Sequence, residues 1–138
     1  MTPLEIYNCF YKRKEYFPHI RLDYIERCID KKNIFFYNTV IILFSVHKKD
    51  HKLQGFRIPK GSFIIHQIVN TEEGNGQATQ AILEFLKEPI SCRADIYLSV
   101  RNDNKRAVSF YKRLGFKPVH LLSWKKNTLP GTLFKYST

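Results

Sequence analysis

At 138 residues, with 43% apolar and 14% aromatic side chains, the chain has enough material for a single domain spanning 1–138 with one core. Its longest apolar run, Val40 to Val46, falls short of the roughly 18 residues of a membrane-spanning helix, and Met1-Thr2-Pro3-Leu4-Glu5 has no basic and apolar leader pattern. A cytoplasmic protein with no membrane partner is therefore expected. The 23 Lys and Arg against 12 Asp and Glu leave a net charge of +11, while Cys9, Cys28 and Cys92 stand singly with no Cys-x-x-Cys spacing, which argues against a zinc site or a disulfide framework.

In chain order, Pro3 suits the first turn of a helix running to about Tyr16, with Leu4, Tyr7, Cys9, Phe10, Tyr11 and Phe17 as its packing stripe and Pro18 as its stop. A second helix is expected from about Arg21 to Lys32 on Leu22, Ile25, Cys28 and Ile29. Ile34 to Tyr37 and Thr39 to His47 are rich in β-branched and aromatic residues and are split by Asn38, a hairpin signal. Lys48 to Gly61 is polar, with room for one short strand at Leu53 to Ile58. Then come a strand to Val69, a helix from about Gly76 to Lys87, a strand from Ile96 to Val100, a helix ending at Leu114-Gly115-Phe116, and two further strands. The cysteines read as small buried hydrophobes, and the five scattered histidines give no support for a metal.

Two stretches carry chemistry. Glu73-Gly74-Asn75-Gly76-Gln77-Ala78-Thr79 lies between a strand and a helix, where backbone N–H groups and the positive end of the helix suit a pyrophosphate. The second, Asn102 to Phe116, puts Asn104, Ala107, Val108 and Tyr111 on one helix face by three- and four-residue spacing. The glycines lack the third small residue of a dinucleotide fingerprint and the Gly-Lys-Ser or Gly-Lys-Thr of a P-loop. Each feature also has a plainer reading: the loop as a flexible turn, Tyr111 as a core aromatic beside Phe110 and Phe116, Asn104 as a helix cap.

The pair resembles the GNAT superfamily of N-acetyltransferases over about residues 63 to 138. The resemblance implies a mixed, mostly antiparallel α/β sheet of about six strands with helices on both faces, lacking the family's first strand. It implies parallel strands ending at Val69 and Val100 whose diverging ends form a cofactor slot. It also implies acetyl-CoA as acyl donor, no metal, and an amine acceptor. Glu73, Gly74, Asn75, Gly76, Gln77, Ala78 and Thr79 would hold the pyrophosphate. The backbone of Ile68 and Val69, with Asn104 and Ala107, would meet the pantetheine arm, and Tyr111 would be the general acid. Glu73 departs from the family, which has Arg or Gln there, and a carboxylate next to an anion implies weaker binding. For the base, His66 competes with Glu72, Glu73 or an ordered water. Basic residues are spread evenly, 12 in residues 1–62 and 11 in 63–138. That field points either to solubility or to a nucleic acid or other polyanion. The acceptor reading is an amine on aminoacyl-tRNA or a modified base, with a small metabolite or a protein lysine left open, and the rival is a catalytically degenerate binding module. A monomer or homodimer is expected.

Overall fold

The computed structural model describes residues 1–14, 17 and 20–136. The chain runs α1 (Pro3–Tyr11), α2 (Leu22–Asp30), β1 (Ile34–Tyr37), β2 (Val40–Val46), β3 (His51–Leu53), β4 (Phe56–Ile58), β5 (Phe63–Asn70), α3 (Gln77–Ser91), β6 (Ile96–Arg101), α4 (Lys105–Leu114), β7 (Phe116–Trp124) and β8 (Leu129–Tyr136). Six strands hydrogen-bond in the order β1-β2-β5-β6-β8-β7, and β3 pairs only with β4. This is the mixed, mostly antiparallel α/β sheet expected from the sequence. By contact the chain forms two compact units, Met1–Phe44 with Gln67–Glu84, and Ser45–His66 with Phe85–Thr138.

In the first unit α1 starts on a capping box. The Thr2 hydroxyl accepts from the Glu5 N–H at 3.1 Å, the Glu5 carboxylate accepts from the Thr2 N–H at 3.0 Å, and Pro3 occupies the first turn, where no N–H is needed. The helix ends at Tyr11; the anticipated end at Tyr16 and stop at Pro18 lie outside the described residues. Ile6 and Phe10 are buried, and they pack with Ile25 and Cys28 of α2, Ile41 and Leu43 of β2, and Val69 of β5. Each such side chain removed from water contributes about 1.5–3 kcal/mol. Leu4 and Tyr11, expected in the packing stripe, are instead 56% and 53% exposed, because Ile6 and Phe10, four apart, set the buried face. β1 and β2 form the antiparallel hairpin, Ile34 opposite Leu43 through Tyr37 opposite Val40, with Asn38 turning at a φ of 49°.

In the second unit, β5 begins in parallel pairing with β6, Phe63 opposite Ile96 to Ile65 opposite Leu98. The parallel neighbours are those expected. β6 pairs antiparallel with β8, and β8 with β7, where a bulge falls between Pro118 and His120. A proline has no N–H for the ladder, so a bulge suits it. Ile58, Tyr97, Leu122 and Leu133 form this unit's own buried cluster. The single strand anticipated at Leu53 to Ile58 is a hairpin: Gln54 and Gly55, at φ values of 47° and 88°, turn β3 back on β4. Helix α3 runs one turn beyond Lys87, past a buried Pro89, to Ser91. Cys92 just after it is exposed, against the expectation of a buried thiol, whereas Cys28 is buried. Among the described residues no helix is long and apolar enough to cross a membrane.

Candidate functional site

The loop between β5 and α3 is held by its own side chains. Asn70, at the end of β5, accepts at Oδ1 from the Thr39 hydroxyl at 2.7 Å and from the Glu72 N–H at 3.1 Å, and its amide donates to Asn75 Oδ1 at 2.8 Å. Asn75 Oδ1 also accepts from the Gln77 N–H at 3.1 Å, capping α3, while the Asn75 amide donates to the Thr39 hydroxyl at 2.9 Å. The Asn38 amide donates to Gln77 Oε1 at 2.8 Å. Gly74 and Gly76 sit at φ values of 81° and 77°, a left-handed conformation open to glycine at no steric cost. The cap engages the Gln77 N–H. The N–H groups of Ala78 and Thr79 belong to the first turn, where an α-helix has no intrahelical acceptor for them. They are the donors an anion would use at the start of a 15-residue helix.

Glu73 is not left bare. Its carboxylate accepts from Arg13 Nε at 3.1 Å, and the same guanidinium donates to the Thr71 carbonyl at 2.9 Å and the Cys9 carbonyl at 3.2 Å. Ile68 is half-buried in β5, and the Val69 side chain lies in the first unit's core.

The second unit carries the other residues. Asn104 caps α4, its Oδ1 accepting from the Ala107 N–H at 3.3 Å, so the cap reading of this residue is the one the contacts show. The turn before it is fixed by the Arg101–Asp103 pair at 2.6 Å and by the Thr132 hydroxyl donating to Asn102 at 2.7 Å. Tyr111 is half-buried, its ring edge-on to Phe110 at 5.3 Å and to Phe116 at 5.7 Å. Burial pushes its phenol well above the usual tyrosine range, so the group is protonated at neutral pH.

His66 lies on β5 with its Nε2 2.7 Å from the Ser45 hydroxyl. Enclosure by surrounding protein, then the charge of His47, holds its imidazole below the ordinary 6.5. His47 is shifted the same way, by burial and then by His51, whose ring stacks on it at 5.0 Å. No group of three or more His, Cys, Asp and Glu among the described residues is arranged to hold a metal ion. Arg13, Thr39, Asn70 and Ser45 are the site residues that sequence reasoning missed. Arg13 appears there only as the middle of the basic triplet Lys12-Arg13-Lys14, and no spacing singles it out.

The acetyltransferase (GNAT) family model matches residues 71–116, from the loop through α3, β6 and α4 to the start of β7. No curated protein sequence matches. Among solved structures, Naa20 of Chaetomium thermophilum in complex with a bisubstrate analogue is 12% identical, with a TM-score of 0.77 over 100% of this chain and 84% of that one. An N-acetyltransferase from Staphylococcus aureus Mu50 is 16% identical, with a TM-score of 0.67 over 96% and 94%. A chain of the NatC complex bound to Gag peptide and CoA is 13% identical, with a TM-score of 0.53 over 72% of this chain, which spans 61% of that chain's length. The fold is the GNAT fold. The family model falls on the stretch that carries the loop and Tyr111, one third of the chain.

Proposed function

We propose that this protein is an acyl-CoA-dependent N-acyltransferase, acetyl-CoA being the first donor to test, working by direct attack of a primary amine on the thioester. The observation that carries the reading is the loop itself. Two left-handed glycines and the Asn75 side chain lead into a helix start with its first-turn N–H donors, inside the segment the family model matches. The CoA bound in the NatC structure supports the same ligand class.

When bound, acetyl-CoA supplies the activated acyl carbon. The chain's own groups then have distinct tasks. Gly74 to Thr79 would receive the pyrophosphate on backbone N–H, and Ile68, Val69, Asn104 and Ala107 would hold the pantetheine arm, the Val69 N–H being available to polarise the thioester carbonyl. As the amine nitrogen bonds to the acyl carbon and the C–S bond breaks, Tyr111 gives its phenol proton to the departing sulfur. His66, neutral at pH 7, takes the proton released by the amine. If Nε2–H donates to Ser45 at 2.7 Å, the lone pair for that task is on Nδ1. The excess of 23 basic over 12 acidic side chains supports an acceptor carried on a polyanion, an aminoacyl-tRNA or an amine on a modified base.

The test is thermal stability with acetyl-CoA, CoA and ATP. Ligand at about 100 times its dissociation constant stabilises by roughly 2.7 kcal/mol, a rise of several degrees for a domain this size. A rise specific to the CoA ligands is expected. No rise, or an equal rise with ATP, would replace the enzyme by a degenerate fold used for polyanion binding. In the same format Tyr111→Phe should keep the acetyl-CoA shift and lower amine-dependent thiol release by about 10²-fold or more. Unchanged release would remove Tyr111 as the acid.

A further inference from the structure

Glu72 and Glu73 are the loop side chains that oppose an anionic ligand, and the fold answers Glu73, which leads the glycines, from a different element. Arg13 lies 60 residues earlier, just past the end of α1. Its side chain is only 19% exposed, against 52% for Glu73. Three of its N–H groups are spoken for, by the Glu73 carboxylate, the Thr71 carbonyl and the Cys9 carbonyl. Thr71 is gripped from the other side as well, its N–H and its hydroxyl both donating to the Thr39 carbonyl, at 2.8 and 3.0 Å. The leading end of the loop is therefore fixed between α1 and the β1–β2 turn, with a guanidinium on the Glu73 carboxylate.

We propose that Arg13 is a positioning residue of the acyl-CoA loop: it neutralises Glu73 in place and ties residues 71–73 to α1, so that a loop led by a carboxylate still binds pyrophosphate. This rests on the functional reading above. A lysine could supply the charge, but a single ammonium on a flexible stem does not reproduce a planar fork that holds two carbonyls and a carboxylate together. Arg13 thus has two effects, charge compensation and loop anchoring, and they separate by substitution.

Isothermal titration with CoA on wild type, R13Q, R13K, E73Q and the double variant R13Q/E73Q tests it, with thermal unfolding of each recorded alongside. R13Q should weaken CoA by about tenfold, because a charge comes to face the phosphates uncompensated. R13K should fall between R13Q and wild type, E73Q should bind CoA about threefold more tightly, and the double variant should recover to within about threefold of wild type. The rescue is the decisive readout, since a purely structural clamp would not be restored by removing its partner. R13Q affinity within about twofold of wild type, R13K as poor as R13Q, or a double variant no better than R13Q overturns the proposal. If R13Q does not fold, R13K and E73Q carry the same decision: a weaker R13K with a tighter E73Q supports the proposal, and any other pairing overturns it. Absence of CoA binding by wild type overturns the functional reading and this inference with it, whereas wild-type binding indifferent to Arg13 overturns the inference alone.

Discussion

His66 and His47 give the molecule a titration window of their own. Both imidazoles are held below the ordinary 6.5 in the folded chain, so the folded state binds fewer protons than the unfolded one as pH drops through that value. Their contribution to stability is complete above about pH 6.5 and is lost as pH falls through the lowered folded values. Melting temperature should accordingly decline between about pH 7.5 and about pH 5.5, and His66→Gln should flatten part of that decline. A profile identical in the variant would show that His66 is not one of the groups responsible. The carboxylates of Asp50 and Asp103, lowered by Arg57 and Arg101, titrate below 3.8 and leave this window clear. Residue by residue, the sequence was informative where the pattern is local. Tyr111 and Asn104 were singled out by spacing along one helix, and Gly74 and Gly76 by their place between a strand and a helix. Arg13 and Ser45 act on partners 60 and 21 residues away, and a pairing at that separation leaves no trace in a local pattern.

Among the elements, the β5–α3 loop depends on backbone conformation more than on packing. A Cβ added at Gly76 would meet nothing within 4 Å, so Gly76→Val costs only the strain of a β-branched residue at a φ of 77°, about 1–2 kcal/mol. Gly61, at a φ of 87° and equally open, is the control: its N–H donates to the His47 carbonyl at 2.8 Å, away from the loop. Both valine variants should lower the melting temperature by a few degrees, but only Gly76→Val should also abolish the rise with acetyl-CoA. Loss of the rise in both would assign it to general destabilisation. Long elements followed their sequence periods, as α2 and β2 did within two residues of the expected bounds. The three-residue strands β3 and β4 did not, because a period of two shows nothing in so short a run. The end of α3 was also missed. The helix runs on past Lys87 to Ser91, with Pro89 buried in its last turn.

For the molecule as a whole, charge is the dominant surface property. Arg13, Arg21, Arg27, Arg57 and Arg101 each pair with a carboxylate, while Lys31, Lys32, Lys48, Lys49, Lys125 and Lys126 are exposed in doublets. These arginines meet Glu73, Asp23, Asp50 and Asp103, and exposed lysines make up much of the excess. If that excess serves a nucleic acid, affinity for tRNA should fall by about 10³-fold or more between about 50 and 200 mM salt, as expected for six or more phosphate contacts. A flat response would leave the charge as a solubility device. Both the +11 total and its even spread were visible from composition alone; which cations remain unneutralised is visible only in the fold.

The mesh of Asn70, Thr39, Asn75 and Gln77 has one more consequence, for entropy. A glycine-rich loop that orders only on contact loses conformational freedom at the moment of binding, roughly 1–2 kcal/mol for each backbone residue fixed. Here the side chain of Asn75 bonds at once to Thr39, Asn70 and the first N–H of α3, so the loop has lost much of that freedom during folding. If the loop binds phosphate as proposed, the ligand would meet a backbone already in position, and its affinity would depend on dehydration and charge rather than on setting the chain in order.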